Sequence, residues 1–451
     1  MKLDLVTAYA ANIARVASWA IVAGVVYRRG GAIELSLLML ARGTVGFLTY
    51  TSLGLAPALM RCFVPPLQVV PATPVQAVSP LEYARPGDAP RGNAIEGDDD
   101  PERRAIYGSA TLIVLIIAVL SMAPVIVYAQ NFGAAHRIPG LHGVRGGYVA
   151  LLLAIGVLIR TWSDVPAAWL AATGRLAKDN YIVICGEIGF AIWSLLLVRE
   201  PYPAAGAASA FAFAAVGIAG ARFALAGVWT PGVPLSRVLT LVAPVIASGA
   251  LVLLSQLADW LYAPFNQILI SRTIGVTRVA TYAPAIQIDG AMLLVVSGLS
   301  TVLLPKTAIS HAHGDLATIR NYYVRGSLAS LLALVACAVA VIVLKDVIFR
   351  LWFKDPMEAT QAILPLVLIH TVIGGTASIG RSVLFGIGRI KAYTIAAVVG
   401  GIANVALAIV FVTQTNWGLR GIVLATIITV TVRCAIWMPW YTLRALRGND
   451  Q

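Results

Sequence analysis

Charge is scarce in this chain of 451 residues: Asp, Glu, Lys and Arg make up 12% of it, where soluble domains carry about a quarter. Acid is scarcer than base, with 20 Asp and Glu against 33 Lys and Arg. Cysteine occurs only at Cys62, Cys185, Cys337 and Cys434, without metal-ligand spacing, so the thiols read as buried and inert. There is no Walker loop, no nucleophile elbow and no His/Cys/Asp/Glu cluster of metal-binding spacing, so the chain offers no direct use of ATP, no catalytic site and no metal or other cofactor.

Apolar residues fill the space that charge leaves. They make up 59% of the chain, and the mean hydropathy is +0.84, which marks an integral membrane protein. Continuous apolar segments fall near 5–27, 33–60, 106–128, 147–171, 180–199, 204–229, 238–270, 278–304, 323–348, 361–384, 393–413 and 418–441. They predict an all-α polytopic protein of about twelve transmembrane helices. A β-barrel is excluded because the runs are continuously apolar instead of alternating with period two. The first segment, interrupted by Asn12 and Arg15, reads as a retained helix and not a signal peptide.

With a cytoplasmic N-terminus, the larger share of loop Lys and Arg falls on the inner side, so both termini are expected inside. The net charge of +13 is spread over loops that face an anionic leaflet and implies no nucleic acid. Pro65 to Arg104 is rich in proline and ends on an acidic cluster, the composition of a mobile cytoplasmic loop.

Two internal matches organise the rest. Gly31 aligns with Gly275, as Gly54-Leu55 does with Gly298-Leu299, at an offset of 275 − 31 = 244. GRLAKDNYIVICGEI from Gly174 matches GRIKAYTIAAVVGGI from Gly388 at 388 − 174 = 214. The excess length of the 65–104 loop accounts for the difference. The expectation is a duplicated six-helix unit, residues 1–229 and 230–451, forming two pseudo-symmetric bundles around a central cavity.

The stretches ILISRTIGVTRVATYAPAIQI, SGLSTVLLPKTAISHAHGDLATIR, LFGIGRIKAYTIAAVVGGIANVALAIVF and WGLRGIVLATIIT resemble the second half of Wzx-type polysaccharide flippases, of the multidrug/oligosaccharidyl-lipid/polysaccharide (MOP) superfamily. The resemblance implies a non-enzymatic transporter of the bacterial inner membrane that moves an undecaprenyl-pyrophosphate-linked oligosaccharide for polysaccharide biosynthesis. It implies membrane lipids, a polysaccharide polymerase and glycosyltransferases as partners, with H⁺ or Na⁺ as coupling ion.

A charge at mid-helix costs about 2.5–3.5 kcal/mol on insertion scales, so such residues should face water or one another. Arg15, Arg42 and Arg160 lie near mid-span and are the expected cations of an anion-binding cavity. Arg222, Arg381 and Arg433 lie nearer span ends, where snorkelling explains them. Asp164, four residues after Arg160, is expected on the same helical face. Asp259 aligns with Arg15 at 259 − 244 = 15, which suggests a bridge across the cavity. Asp259 and Asp289 are the expected ion-coupling or gating groups, with Asp164 third. His370 is near Arg381 on the helix and is expected in a proton relay or a hydrogen-bonded core. Trp162, Tyr282, Gln287, Asn266 and Asn404 are available to a sugar.

A drug antiporter of the same superfamily is the competing expectation, but it calls for an acidic cavity. A membrane sugar polymerase or ligase calls for a large outer loop, and the longest candidate is only Gln130 to Gly147.

Overall fold

A computed structural model describes residues 2–52, 101–199, 201–227, 251 and 253–447. Most of the 65–104 loop and the first part of the 238–270 segment lie outside these residues, as does Cys62. Helix α1 spans Lys2–Val45 and continues as a 3₁₀ turn, Gly46–Ser52. Then come α2 (Pro101–Gln130), α3 (Phe132–His136), α4 (Leu141–Trp162), α5 (Asp164–Ala172), α6 (Leu176–Leu197) and α7 (Pro203–Ala226). The second half holds α8 (253–260), α9 (Ala263–Thr273), α10 (Thr277–Ala312), α11 (Leu316–Phe353), α12 (Glu358–Gly386), α13 (Ile390–Gln414) and α14 (Gly418–Val430). Helix α14 runs on through a π-helical segment, Thr431–Trp437, into α15, Met438–Ala445.

Ten helical stretches among the described residues are long and apolar enough to cross a membrane. Helix α1 is one of them and contains two crossings, because Gly31 at φ 70, ψ −167 breaks it. That conformation is open to glycine and closed to residues with a Cβ. The chain is therefore an all-helical multi-pass membrane protein. In hydrocarbon the backbone must satisfy itself, and helices do so within each segment. The apolar side chains left outside, among them Leu328, Leu332, Val339, Val343 and Leu351 on α11, form the lipid-facing surface.

The sequence offsets recur in the backbone. Gly174 and Gly388 have φ 74 and 77. Each ends a helix with the same closing bonds, Arg175 N–H to the Leu170 carbonyl at 2.7 Å and Arg389 N–H to the Leu384 carbonyl at 2.8 Å, the pattern of a Schellman cap. Gly31 and Gly275 are both left-handed, at φ 70 and 128. Ser36 Oγ accepts from the Ala280 backbone N–H at 2.9 Å, and 280 − 36 is again 244. Two residues related by the repeat touch each other, so the pseudo-twofold axis passes between α1 and α10.

The two halves are tied together at the end opposite the N-terminus. Arg28 donates to the carbonyls of Leu351 and Trp352, and Tyr27 donates to Asp355 at 3.0 Å. The Trp352 indole reaches the Ala20 carbonyl at 2.6 Å. On the other flank Arg272 donates to the Ala135 carbonyl at 2.5 Å and Arg137 to the Arg272 carbonyl at 3.2 Å. Buried His136 bonds Ser271 at 3.0 Å and Tyr128 at 2.7 Å. Burial and the nearby Arg272 cation push His136 down to about 4, so it is neutral, with one ring nitrogen donating and the other accepting. The segment from Gln130 to Gly147, expected as a loop, is mostly helical, with α3 and the start of α4 inside it.

Candidate functional site

Arg42 lies on the second arm of α1 and opens onto a cavity of about 290 Å³ between the halves. Its guanidinium is stacked on Trp19, 3.8 Å from the ring centroid. Met39, Arg42 and Gly43 face Ala283, Ile286 and Gln287 across this space, each pair 244 apart, so the cavity lies on the pseudo-twofold axis. Among the described residues no carboxylate pairs with Arg42. A cation–π contact stabilises it by about 0.5–2 kcal/mol without supplying an opposite charge.

Arg15 and Arg160 are placed differently. Arg160 forms a short ion pair with Glu187, and Arg15 lies 3.7 Å from the same oxygen. Ser18 donates to the other Glu187 oxygen at 2.8 Å. Glu187 is fully buried, and a buried carboxylate is tolerated only with such partners. Two cations thus share one anion, leaving about one net positive charge. Trp19, Phe190 and Phe211 pack between the cations, with centroids 5.0–5.6 Å apart, and Arg160 stacks on Phe211 at 5.1 Å.

Three sequence expectations are corrected. Asp164 forms no ion pair with Arg160: the helix is interrupted at Ser163 between α4 and α5, and Asp164 lies 3.5 Å from Arg222. Arg222 does not snorkel. It is 8% exposed and grips Asp179 through Nε at 2.7 Å and Nη2 at 3.1 Å, with Ser163 Oγ at 3.0 Å. Asp259 does not face Arg15. Its neighbour is Arg433, at 3.8 Å, because residues at equivalent depth in the two bundles need not point toward each other.

The second half holds a larger, open cavity of about 970 Å³, with polar and charged groups set among apolar ones. Asp259, Asp289, His370, Arg381 and Arg433 all line it. Thr371 donates to Asp289 at 2.6 Å, and His370 Nε2 lies 3.9 Å from the same oxygen. The expected partner of His370, Arg381, lines the same cavity, while the observed one is Asp289. Asn266 and Asn404 are fully buried and bonded to Thr426, Leu261 and each other. They hold the break between α8 and α9 and are not free for a ligand. Trp162 is likewise anchored, its indole on the Thr111 carbonyl at 3.3 Å.

Sequence reasoning passed over Glu187 as the hub and missed Asp179 and Trp19. The signal for Asp179 was an acid at the start of an apolar span, which needs a buried cation. For Trp19 the linear sequence carries no signal, since its contact with Arg42 depends on the bend at Gly31.

Residues 252–410 match the MatE family model. No curated protein matches the chain by sequence. Solved structures match over nearly the full length. An inward-facing conformation of a multidrug resistance MATE family transporter of the MOP superfamily aligns with TM-score 0.74 at 15% identity, covering 98% of this chain and 96% of that one. The lipid II flippase MurJ in an inward closed conformation aligns with TM-score 0.70 at 15% identity, covering 99% and 88%. A MOP superfamily transporter from Pyrococcus furiosus, described as having a binding pocket of reverse polarity that suggests a different function, aligns with TM-score 0.57 at 13% identity, covering 99% and 96%. At these identities the likeness is one of fold. The chain is a multi-pass membrane protein with a MATE-like fold, and part of its second half is similar to the MatE family.

Proposed function

We propose that the protein is a flippase for an undecaprenyl-pyrophosphate-linked oligosaccharide in the bacterial inner membrane, working by alternating access of two bundles, 1–229 and 230–451, with both termini cytoplasmic. The observation that carries this reading is Arg42: a guanidinium on the axis between the halves, held by Trp19 and unpaired by any described carboxylate. Diphosphate offers two or more negative charges and acceptors that fit a guanidinium fork. Arg15 and Arg160 add a net positive charge beside it. The bonds that tie the halves at the end opposite the N-terminus suit a state open toward the other end. In this reading Asp259, Asp289 and Asp164 couple the cycle to H⁺ or Na⁺.

The acids of the second cavity favour a second reading, export of organic cations. Proteoliposomes separate the two. A fluorescent polyprenyl-diphosphate sugar should cross in the wild-type protein while ethidium does not. Arg42→Ala should lower that transport about tenfold or more, the size expected for losing one charge-assisted contact, while the protein still inserts and folds with at most the loss of the Trp19 contact, about 0.5–2 kcal/mol. Transport of ethidium alone, untouched by Arg42→Ala, would overturn the flippase reading.

A further inference from the structure

The 970 Å³ cavity of the second half does not include Arg42 in its lining. Its lining mixes both signs and both hydrogen-bonding senses: the carboxylates of Asp259 and Asp289 accept, the guanidinium groups of Arg381 and Arg433 donate, and the hydroxyls of Ser300 and Ser378 do both. Several of its polar atoms have no protein partner. The Tyr262 hydroxyl, in a residue 8% exposed, is one, and Arg433 Nε is another. Arg433 projects from the π-helical segment, a local distortion that recurs at functional sites, and its guanidinium stacks over Tyr262 at 5.0 Å.

The cavity exists because small residues stand where the first half is filled. Arg160 and Asp164 correspond at the offset of 214 to Gly374 and Ser378, and both of these line the cavity. It also abuts the Arg42 cavity, since Ala263 lines both. The two cavities are therefore separated by no more than this one small residue at that point.

We propose that this second cavity is the subsite for the sugar residues next to the diphosphate, which divides recognition into an anion contact at Arg42 and a glycan contact in the C-terminal half. The proposal rests on the flippase reading. A neutral sugar is the class of ligand that matches the lining. Each hydroxyl both donates and accepts, so it needs the mixture of carboxylate, guanidinium and hydroxyl found here. A ligand that only donates or only accepts would leave half of these groups unmatched.

The test is binding to the purified full-length protein of two probes: polyprenyl diphosphate without sugar, and the same lipid bearing a tetrasaccharide. Gly374→Leu fills the cavity. A Cβ at Gly374 meets only Val430 Cγ1, at 3.5 Å, and leucine is a better helix former than glycine, so the variant retains its fold. The wild-type protein should bind the sugar-bearing lipid about tenfold more tightly than the bare one, and Gly374→Leu should abolish that preference with the bare lipid's affinity unchanged. Ser378→Leu should behave alike. Arg42→Ala should weaken both probes equally. No preference for the sugar-bearing lipid in wild type, or a preference that survives both cavity-filling variants, overturns the glycan subsite. Equal binding of both probes by Arg42→Ala and wild type would instead sink the diphosphate reading, so the two failures are distinct.

Discussion

The two halves share a backbone plan and differ in what fills it. In the first half the interior is closed by charge pairs: Arg15 and Arg160 on Glu187, and Arg222 on Asp179. In the second half, equivalent positions carry Gly374, Gly401 and Ser378, and a cavity opens beside Gly374 and Ser378. Glu187 and Gly401 make the contrast sharpest. Glu187 reaches back to α1 through its carboxylate, whereas Gly401 brings α13 so close to α8 that an added Cβ would lie 3.0 Å from the Ala258 carbonyl. One duplicated contact is thus solved once by an ion pair and once by the absence of a side chain. Duplication conserves the capping turns at Gly174 and Gly388, while the side chains at one helix contact are free to diverge.

This contrast makes the first half the more fragile of the two to loss of a charge. Glu187→Ala leaves the half-buried Arg160 and the neighbouring Arg15 without their shared anion and should cost about 3 kcal/mol, read as a large drop in thermal midpoint or in the inserted fraction. An unchanged midpoint would mean that the Glu187 pairing does not hold the bundle. Asp179→Asn keeps shape but removes the charge from the forked Arg222 pair, so a smaller loss of about 2–3 kcal/mol should appear in the same measurement. On the second half Asp259→Asn should change stability by only about 0–1 kcal/mol, because its partner lies 3.8 Å away and the carboxylate is 46% exposed. If this substitution matched Glu187→Ala, the distinction between the halves would fail.

The contact between the halves adds a pH term. His136 stays neutral in the fold at pH values where the unfolded chain takes up a proton, its folded value being about 4 against an ordinary 6.5. Its contribution is fully present above about pH 6.5 and is lost as pH falls toward 4. Thermal midpoints of wild type should therefore decline faster over that window than those of His136→Gln, in which the titrating group is gone. Parallel pH curves for the two proteins would remove His136 as the source.

Much of the fold was legible in the sequence because a membrane imposes simple rules. Continuous apolar runs must become helices, and Gly31, Gly174, Gly275 and Gly388 mark turns that need a left-handed residue. The same glycines revealed the offsets of 244 and 214 that the backbone repeats. The break at Ser163 was not legible, since LIRTWSDVPAAWL reads as one continuous helix until Arg222 and Asp179 are brought against it. The site was legible as a set of residues and not as a set of pairs. Arg15, Arg42 and Arg160 stood out for their depth, but depth along a helix does not say which neighbour each one meets.

Amino-acid order by itself determined that the chain is helical, multi-pass, duplicated and unusually rich in mid-span arginine, because hydropathy and glycine conformation are local properties. Only the tertiary structure decided that Arg15 and Arg160 share Glu187 while Arg42 keeps its charge over Trp19. The energy of a buried charge depends on what lies within a few ångströms in space, and residues such as 15 and 187 are brought that close only by packing.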